Sequence, residues 1–204
     1  MLSTPRELKR ISKILAVLDA ILSPEWEYRY YSYNAKWAEH QEMASMRTGS
    51  RDEYFLWFSN EWCAIKCVEE DSPIIPDIEN ILSSFPAAYA AFIHEPAFTI
   101  PDSTLLGFWN TTTWELYGQQ DDDMYAILTI LDGKPETYLQ WAEEYYERGI
   151  DRPAVESIYN NVPLTTQIIT TLNSEVDFTQ LQRDLLEIGY DNDTVQGIYD
   201  RSID

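Results

Sequence analysis

The chain is short of the residues on which most recognisable chemistries depend. Of its 204 residues, two are cysteine, two are histidine and seven are glycine. So few glycines leave no phosphate-binding loop. The single Gly-Lys pair, Gly133-Lys134, runs into Pro135 without an upstream glycine at the required distance. The dinucleotide fingerprint and the serine nucleophile elbow need glycine spacings that are equally missing. Two cysteines cannot build a four-thiolate zinc site, and the zincin helix motif is absent because His94-Glu95 continues as Pro96-Ala97-Phe98. No cofactor, no metal and no catalytic residue is therefore expected.

Long apolar runs are lacking too. No stretch approaches the roughly 18 to 20 residues needed to cross a bilayer, and Arg6, Lys9, Arg10, Lys13 and Asp19 interrupt the N-terminal apolar positions. No membrane association is expected, and a cytoplasmic location is. Cys63 and Cys67 fall in the tract 62–68; on a strand they would share a face roughly 13 Å apart, too far to pair. They read as buried free thiols in a reducing compartment.

Positive charge is the third scarcity: 14 Lys/Arg stand against 35 Asp/Glu, for a formal charge of −21. The imbalance lies in residues 52–204, which carry six bases and 29 acids, whereas residues 1–51 carry eight and six. Such a field repels nucleic acid and anionic lipid and speeds encounter with a basic protein partner. Solubility alone would also account for it.

What is present is a folding sequence, 45% hydrophobic and 14% aromatic. A chain of this length can bury about 70% of its unfolded surface in one core. A single unit over 1–204 is expected, with a subdivision into a helix-plus-sheet body, 1–118, and a helical region, 119–204, as the alternative. Thr4-Pro5-Arg6-Glu7 is a capping box with proline at the first helical position. Leu8, Ile11, Leu15, Leu18 and Leu22 follow at helical spacing as far as Ser23-Pro24. From Glu27 the period changes: Tyr28, Tyr30, Tyr31 and Tyr33, then tracts 42–47, 53–58 and 62–68, form an antiparallel meander with hairpin-sized links. Tyr54-Phe55-Leu56-Trp57-Phe58 is apolar on both faces and so reads as a central strand covered on both sides.

Two short helices divided at Pro86 and a second hairpin turning at Asn110-Thr111 come next. A helix over 124–131 follows, then one over 135–148 with Tyr138, Trp141, Ala142 and Tyr145 along one stripe and Gly149 as its stop. Asp177 and Gln180 open a last helix that Gly189 closes. The fold class is α+β: an antiparallel sheet of four to six strands packed with an N-terminal helix and a helical C-terminal region.

Candidate binding residues are Arg47, Asp52, Trp57, Trp62 and Lys66; with Met43, Ser45 and Arg51 they would lie on adjacent strands, and three or four of the group could converge on one sheet face. They could line a groove for a peptide or small anion, or an Arg–carboxylate pair could simply fix the hairpin. A metal would have to use His40 or His94 with carboxylates; Glu39, His40 and Glu42 could assemble such a site in space, or make ordinary polar contacts. In Asp121-Asp122-Asp123 the acids suit the positive end of a helix better than a cation.

The run Glu42-Met43-Ala44-Ser45-Met46-Arg47, with Gly49-Ser50, Asp52-Glu53 and Trp57-Phe58, resembles uncharacterised bacterial proteins. The likeness continues through Glu95-Pro96-Ala97-Phe98, Pro135-Glu136-Thr137-Tyr138 and Leu186-Glu187-Ile188-Gly189-Tyr190. It implies a bacterial origin and no site. In general character the chain is also similar to the acidic toxin-immunity (SUKH-type) proteins, the superfamily that includes the yeast cell-wall-synthesis regulators. Those are small cytoplasmic α+β proteins that open with a helix. That resemblance implies a non-catalytic, toxin-neutralising role; the alternative is a small-molecule-binding protein or enzyme using the polar and aromatic sheet face.

Overall fold

A computed structural model describes residues 2–118 and 125–190, so Asp121-Asp122-Asp123 lies outside the described residues. Thr4 caps the first helix, α1 (Pro5–Leu22), by accepting the Glu7 backbone N–H, and Pro5 takes the position whose N–H would have no helical partner. The helix stops at Ser23, whose N–H bonds back to the Asp19 carbonyl, just ahead of Pro24. Its second half, from Ile14 to Leu22, is buried all round rather than along one stripe.

The physical reason lies in the layers. Among the described residues six strands form one antiparallel meander in sequence order: β1 (Tyr31–Ala38), β2 (Gln41–Arg47), β3 (Glu53–Ser59), β4 (Trp62–Val68), β5 (Leu105–Trp109) and β6 (Trp114–Gly118). On one face α1 lies against β1 and β2. Around α1 pack α5 (Arg152–Tyr159), α6 (Thr166–Leu172), α7 (Phe178–Ile188) and a 3-10 segment, Ala126–Asp132, while α4 (Pro135–Tyr145) packs on α5 and that segment. The opposite face is covered by residues 75–100, which hold the short helices α2 (Ile78–Ser83) and α3 (Ala90–Ile93).

Strand β3 is the clearest consequence of pattern. Tyr54, Leu56 and Phe58 join the α1 core, whereas Phe55 and Trp57 join the core under residues 75–100. All five are at most 2% exposed, as their two-sided apolar run demands. At about 1.5–3 kcal/mol per large side chain, this strand supplies a substantial share of the burial energy. One continuous core runs from α1 through the strands to Ile188.

Several boundaries differ from the sequence reading. The first strand begins at Tyr31, because Trp26–Tyr28 forms a 3-10 turn. The segment read as a helix over 124–131 is 3-10 from Ala126 to Asp132, and Met124 lies outside the described residues. Helix α4 ends at Tyr145 rather than at Gly149, and the left-handed residue after it is Glu147. Gly189 does close α7, at φ 65°, and a Cβ there would stand 2.6 Å from that of Ala35 on β1. Glycine is therefore required by close helix-to-strand packing as well as by the turn.

Candidate functional site

The connection between α1 and β1 leaves large apolar side chains in solvent. Residues 24–28 are exposed, with Trp26 at 65% and Tyr28 at 58%. A loop this open would ordinarily be loose, yet two buried side chains hold it. The Asp19 carboxylate accepts the backbone N–H groups of Tyr30 and Tyr31 at 2.9 and 2.8 Å. The Arg29 guanidinium donates to the Ser23 and Pro24 carbonyls at 2.7 and 2.9 Å and to Asp184 of α7 at 2.7 Å. In that pair the side chains are 6% and 10% exposed. Burial pushes the Asp19 carboxyl up to about 7, against the opposing pull of the Tyr31 and Tyr30 N–H groups and Arg29.

Helix α4 extends the surface. Tyr145, 37% exposed, donates its hydroxyl to the Tyr28 carbonyl at 3.2 Å, and its ring stacks on Trp141 at 5.3 Å. Tyr30 packs against both, at 4.5 and 5.2 Å. Exposed Glu25 and Glu27 flank the ridge, with Glu143 and Glu144 on the α4 side. Beside the ridge opens a cleft of ≈ 380 Å³, bounded by Tyr30, Tyr31, Thr48, Gln140, Trp141 and Glu144. Exposed aromatics on a pre-ordered backbone with a charged rim are the composition that carries binding energy at protein interfaces.

Sequence reasoning took Tyr28 and Tyr30 for strand formers and so missed this surface. The available signal was the alternation of Glu25, Trp26, Glu27 and Tyr28 immediately after the helix-ending Pro24, where no strand partner balanced the aromatics.

The residues singled out from sequence are placed as follows. The strand register puts Arg47, Trp57, Trp62 and Lys66 on one face of the sheet. That face is the one under residues 75–100. Trp57 is 1% exposed beneath the rings of Tyr89 and Phe92, and its indole N–H donates to Gln41 at 2.8 Å. Trp62 is half-buried, edge-on to Tyr89. Lys66 is 0% exposed, its ammonium 2.5 Å from Glu53, 3.3 Å from the Thr99 hydroxyl and above the Phe55 ring. Arg47 is exposed, its guanidinium over the Phe55 ring at 5.0 Å from the ring centre. Asp52 stands before β3, where its carboxylate accepts the Glu70 N–H at 2.8 Å. A second cleft, of ≈ 450 Å³, opens beside Glu53 and Thr99 and is lined also by Arg51, Glu69, Glu70 and Asp102.

Glu39, His40 and Glu42 are not brought to a common purpose. Glu39 and His40 stand exposed in the β1–β2 turn, His40 at φ 57°. Glu42 instead faces α1, where Lys9 reaches it at 2.6 Å and the Tyr33 hydroxyl donates to it at 2.6 Å. Burial pushes the Glu42 carboxyl up, but those two hydrogen bonds together with the charges of Lys9 and Lys13 leave the group below its ordinary value. Cys63 and Cys67 are free and buried on the α1 face, and burial pushes both thiols well up. Among the described residues no three of His, Cys, Asp and Glu are grouped to hold a metal ion, and no helix is long and apolar enough to cross a membrane.

The fold thus defines an α+β protein with a six-stranded meander covered on both faces. Compared with protein-family models, with curated proteins and with solved structures, the chain matches none.

Proposed function

We propose that the chain is a non-catalytic binding protein for a basic protein partner, with toxin neutralisation by an immunity protein as the most concrete form. The observation that carries this reading is the Trp26, Tyr28 and Tyr145 ridge, exposed among carboxylates and tied by hydrogen bonds to Asp19 and through Arg29. Aromatic anchors supply affinity at small conformational cost, and a net charge of −21 steers a basic partner towards them.

The alternative of a ligand-binding or enzymatic sheet face draws less support. At Trp57 and Lys66 that face is filled by residues 75–100. The open space near it is the cleft beside Glu53, where four carboxylates, Glu53, Glu69, Glu70 and Asp102, stand with the single base Arg51.

The test is capture by the purified chain from lysate of its own source, at low and high salt, beside a variant carrying Trp26→Ala and Tyr28→Ala. The reading expects one basic protein, retained by the parent chain, weakened at high salt and lost with the double substitution. A partner held equally by the double variant would count against the ridge as the docking surface. Association rates independent of salt would count against electrostatic steering.

A further inference from the structure

The ≈ 380 Å³ cleft beside the ridge has a selective chemistry of its own. Tyr30, Tyr31 and Trp141 form aromatic wall, with Tyr31 edge-on to Trp141 at 4.9 Å, and Met46 and Ile130 add apolar floor. Among the described residues lining it, Glu144 is the only charged one, and it is exposed at the rim. An anion would meet a carboxylate and ring faces, both of which repel it. A cation would find attraction from each. The neutral polar side chains Thr48, Thr129, Thr137 and Gln140 also line it, and each carries an oxygen that can accept a hydrogen bond.

We infer that this cleft receives an arginine side chain of the basic partner, the guanidinium lying against Tyr30 and Trp141 with Glu144 as its counter-charge. Arginine fits better than lysine because a planar, weakly hydrated guanidinium stacks on aromatic faces and offers several donors at once. The volume lies within the range of sites that enclose most of a small ligand's surface. A side chain delivered by a docked protein also needs little affinity of its own, since the ridge supplies the rest. The inference rests on the proposed binding role and adds the residue that the partner inserts.

The probe is N-acetyl-arginine amide, titrated into the full chain and followed by amide NMR, with the N-acetyl-citrulline amide as the uncharged analogue of nearly equal shape. Arginine amide is expected to shift the Tyr30, Ala126 and Gln140 amides saturably, in roughly the millimolar range for so small a ligand. Citrulline amide, and arginine amide with the Glu144→Gln variant, are each expected to bind about fivefold more weakly. Glu144 is exposed on α4, so its replacement leaves the fold intact. Equal binding of the two amides, or shifts scattered over the acidic surface rather than at the cleft, would overturn the inference. The titration reads the cleft alone, whereas Trp26→Ala with Tyr28→Ala reads the ridge alone, so failure of one is separable from failure of the other.

Discussion

The Asp19 carboxylate, buried near the end of α1, accepts the backbone N–H of Tyr31 at 2.8 Å and so ties the first residue of β1 to the helix that precedes it. The same oxygen accepts the Tyr30 N–H, while the other lies 3.4 Å from the Tyr146 hydroxyl of the segment following α4. One side chain therefore joins three parts of the chain and orders the exposed ridge from beneath. Asp19 also explains why α1 tolerates an acid in its most buried stretch: two backbone donors otherwise left unpaired by the turn out of the helix are satisfied there.

That arrangement makes stability depend on pH. Burial raises the Asp19 carboxyl from 3.8 to about 7 in the folded chain, so between those values the native state holds a proton that the unfolded state has lost. The stabilisation from this group is complete below about 4 and is lost as pH rises towards 7. Across a shift of about three units the loss is on the order of 4 kcal/mol. Asp19→Asn keeps one oxygen for the Tyr30 and Tyr31 N–H groups and removes the titration. In urea denaturation at a series of pH values, the difference between parent and variant should change steadily over pH 4–7. A constant difference would show that Asp19 does not titrate there.

Lys66 has no water to turn to. Its ammonium sits between Glu53, Thr99 and the face of Phe55, and the side chain is 0% exposed. Lys66→Ala removes a long buried stem and leaves Glu53, itself three-quarters covered, without its counter-charge. The expected cost is about 3–5 kcal/mol by chemical denaturation. Lys66→Met together with Glu53→Gln keeps the volume and removes both charges, and should recover at least about half of that loss. If the paired substitution is as damaging as the single one, the ion pair is not what the site depends on.

Close packing sets the third expectation. At Gly189 the backbone has φ 65°, and an added methyl would meet Ala35 Cβ at 2.6 Å. Gly189→Ala is expected to cost about 2 kcal/mol, by forcing α7 away from β1 on top of the intrinsic strain of the left-handed conformation. Pairing it with Ala35→Gly should return part of the loss, since the second change removes the obstructing Cβ. A thermal melt of the two variants measures this directly, and an unchanged midpoint for Gly189→Ala would exclude the contact.

Legibility in the sequence followed how local each cause was. Thr4 with Pro5, the two-sided run in β3 and the Asn110-Thr111 hairpin each declare themselves over a few residues, and each stands where the pattern put it. The fully buried half of α1 was harder. Ile14, Val17 and Ile21 broaden its apolar stripe, but only the C-terminal helices packed around it explain why all sides are covered. The register puts Arg47, Trp57, Trp62 and Lys66 on one face, and cover on both sides of β3 was legible in its two-sided apolar run; which face residues 75–100 cover depends on the path of the β4–β5 connection, which periodicity does not fix. The ridge was hidden for a different reason. Tyr28 and Tyr30 look like strand residues by composition, and their presentation depends on Asp19 and Asp184, one from each end of the chain.

Arg29 offers the sharpest separation of scaffold from surface. It donates from two nitrogens to the Ser23 carbonyl, the Pro24 carbonyl and Asp184, so a single planar group fastens both the start of the loop and α7. Lysine in its place carries the charge but cannot span those acceptors in one geometry. Arg29→Lys is therefore expected to keep the fold, at a cost of about 1–3 kcal/mol, while loosening residues 24–30. The Tyr30 and Tyr31 amides should exchange with deuterium faster than in the parent chain, and by more than the β3 amides, which open only with the whole core and so report the global loss of stability alone. Partner affinity should fall even though Trp26 and Tyr28 are untouched, because a loosened ridge must be ordered again on binding. If exchange at Tyr30 and Tyr31 is unchanged in Arg29→Lys, the loop is held by Asp19 alone and the guanidinium serves only to anchor α7.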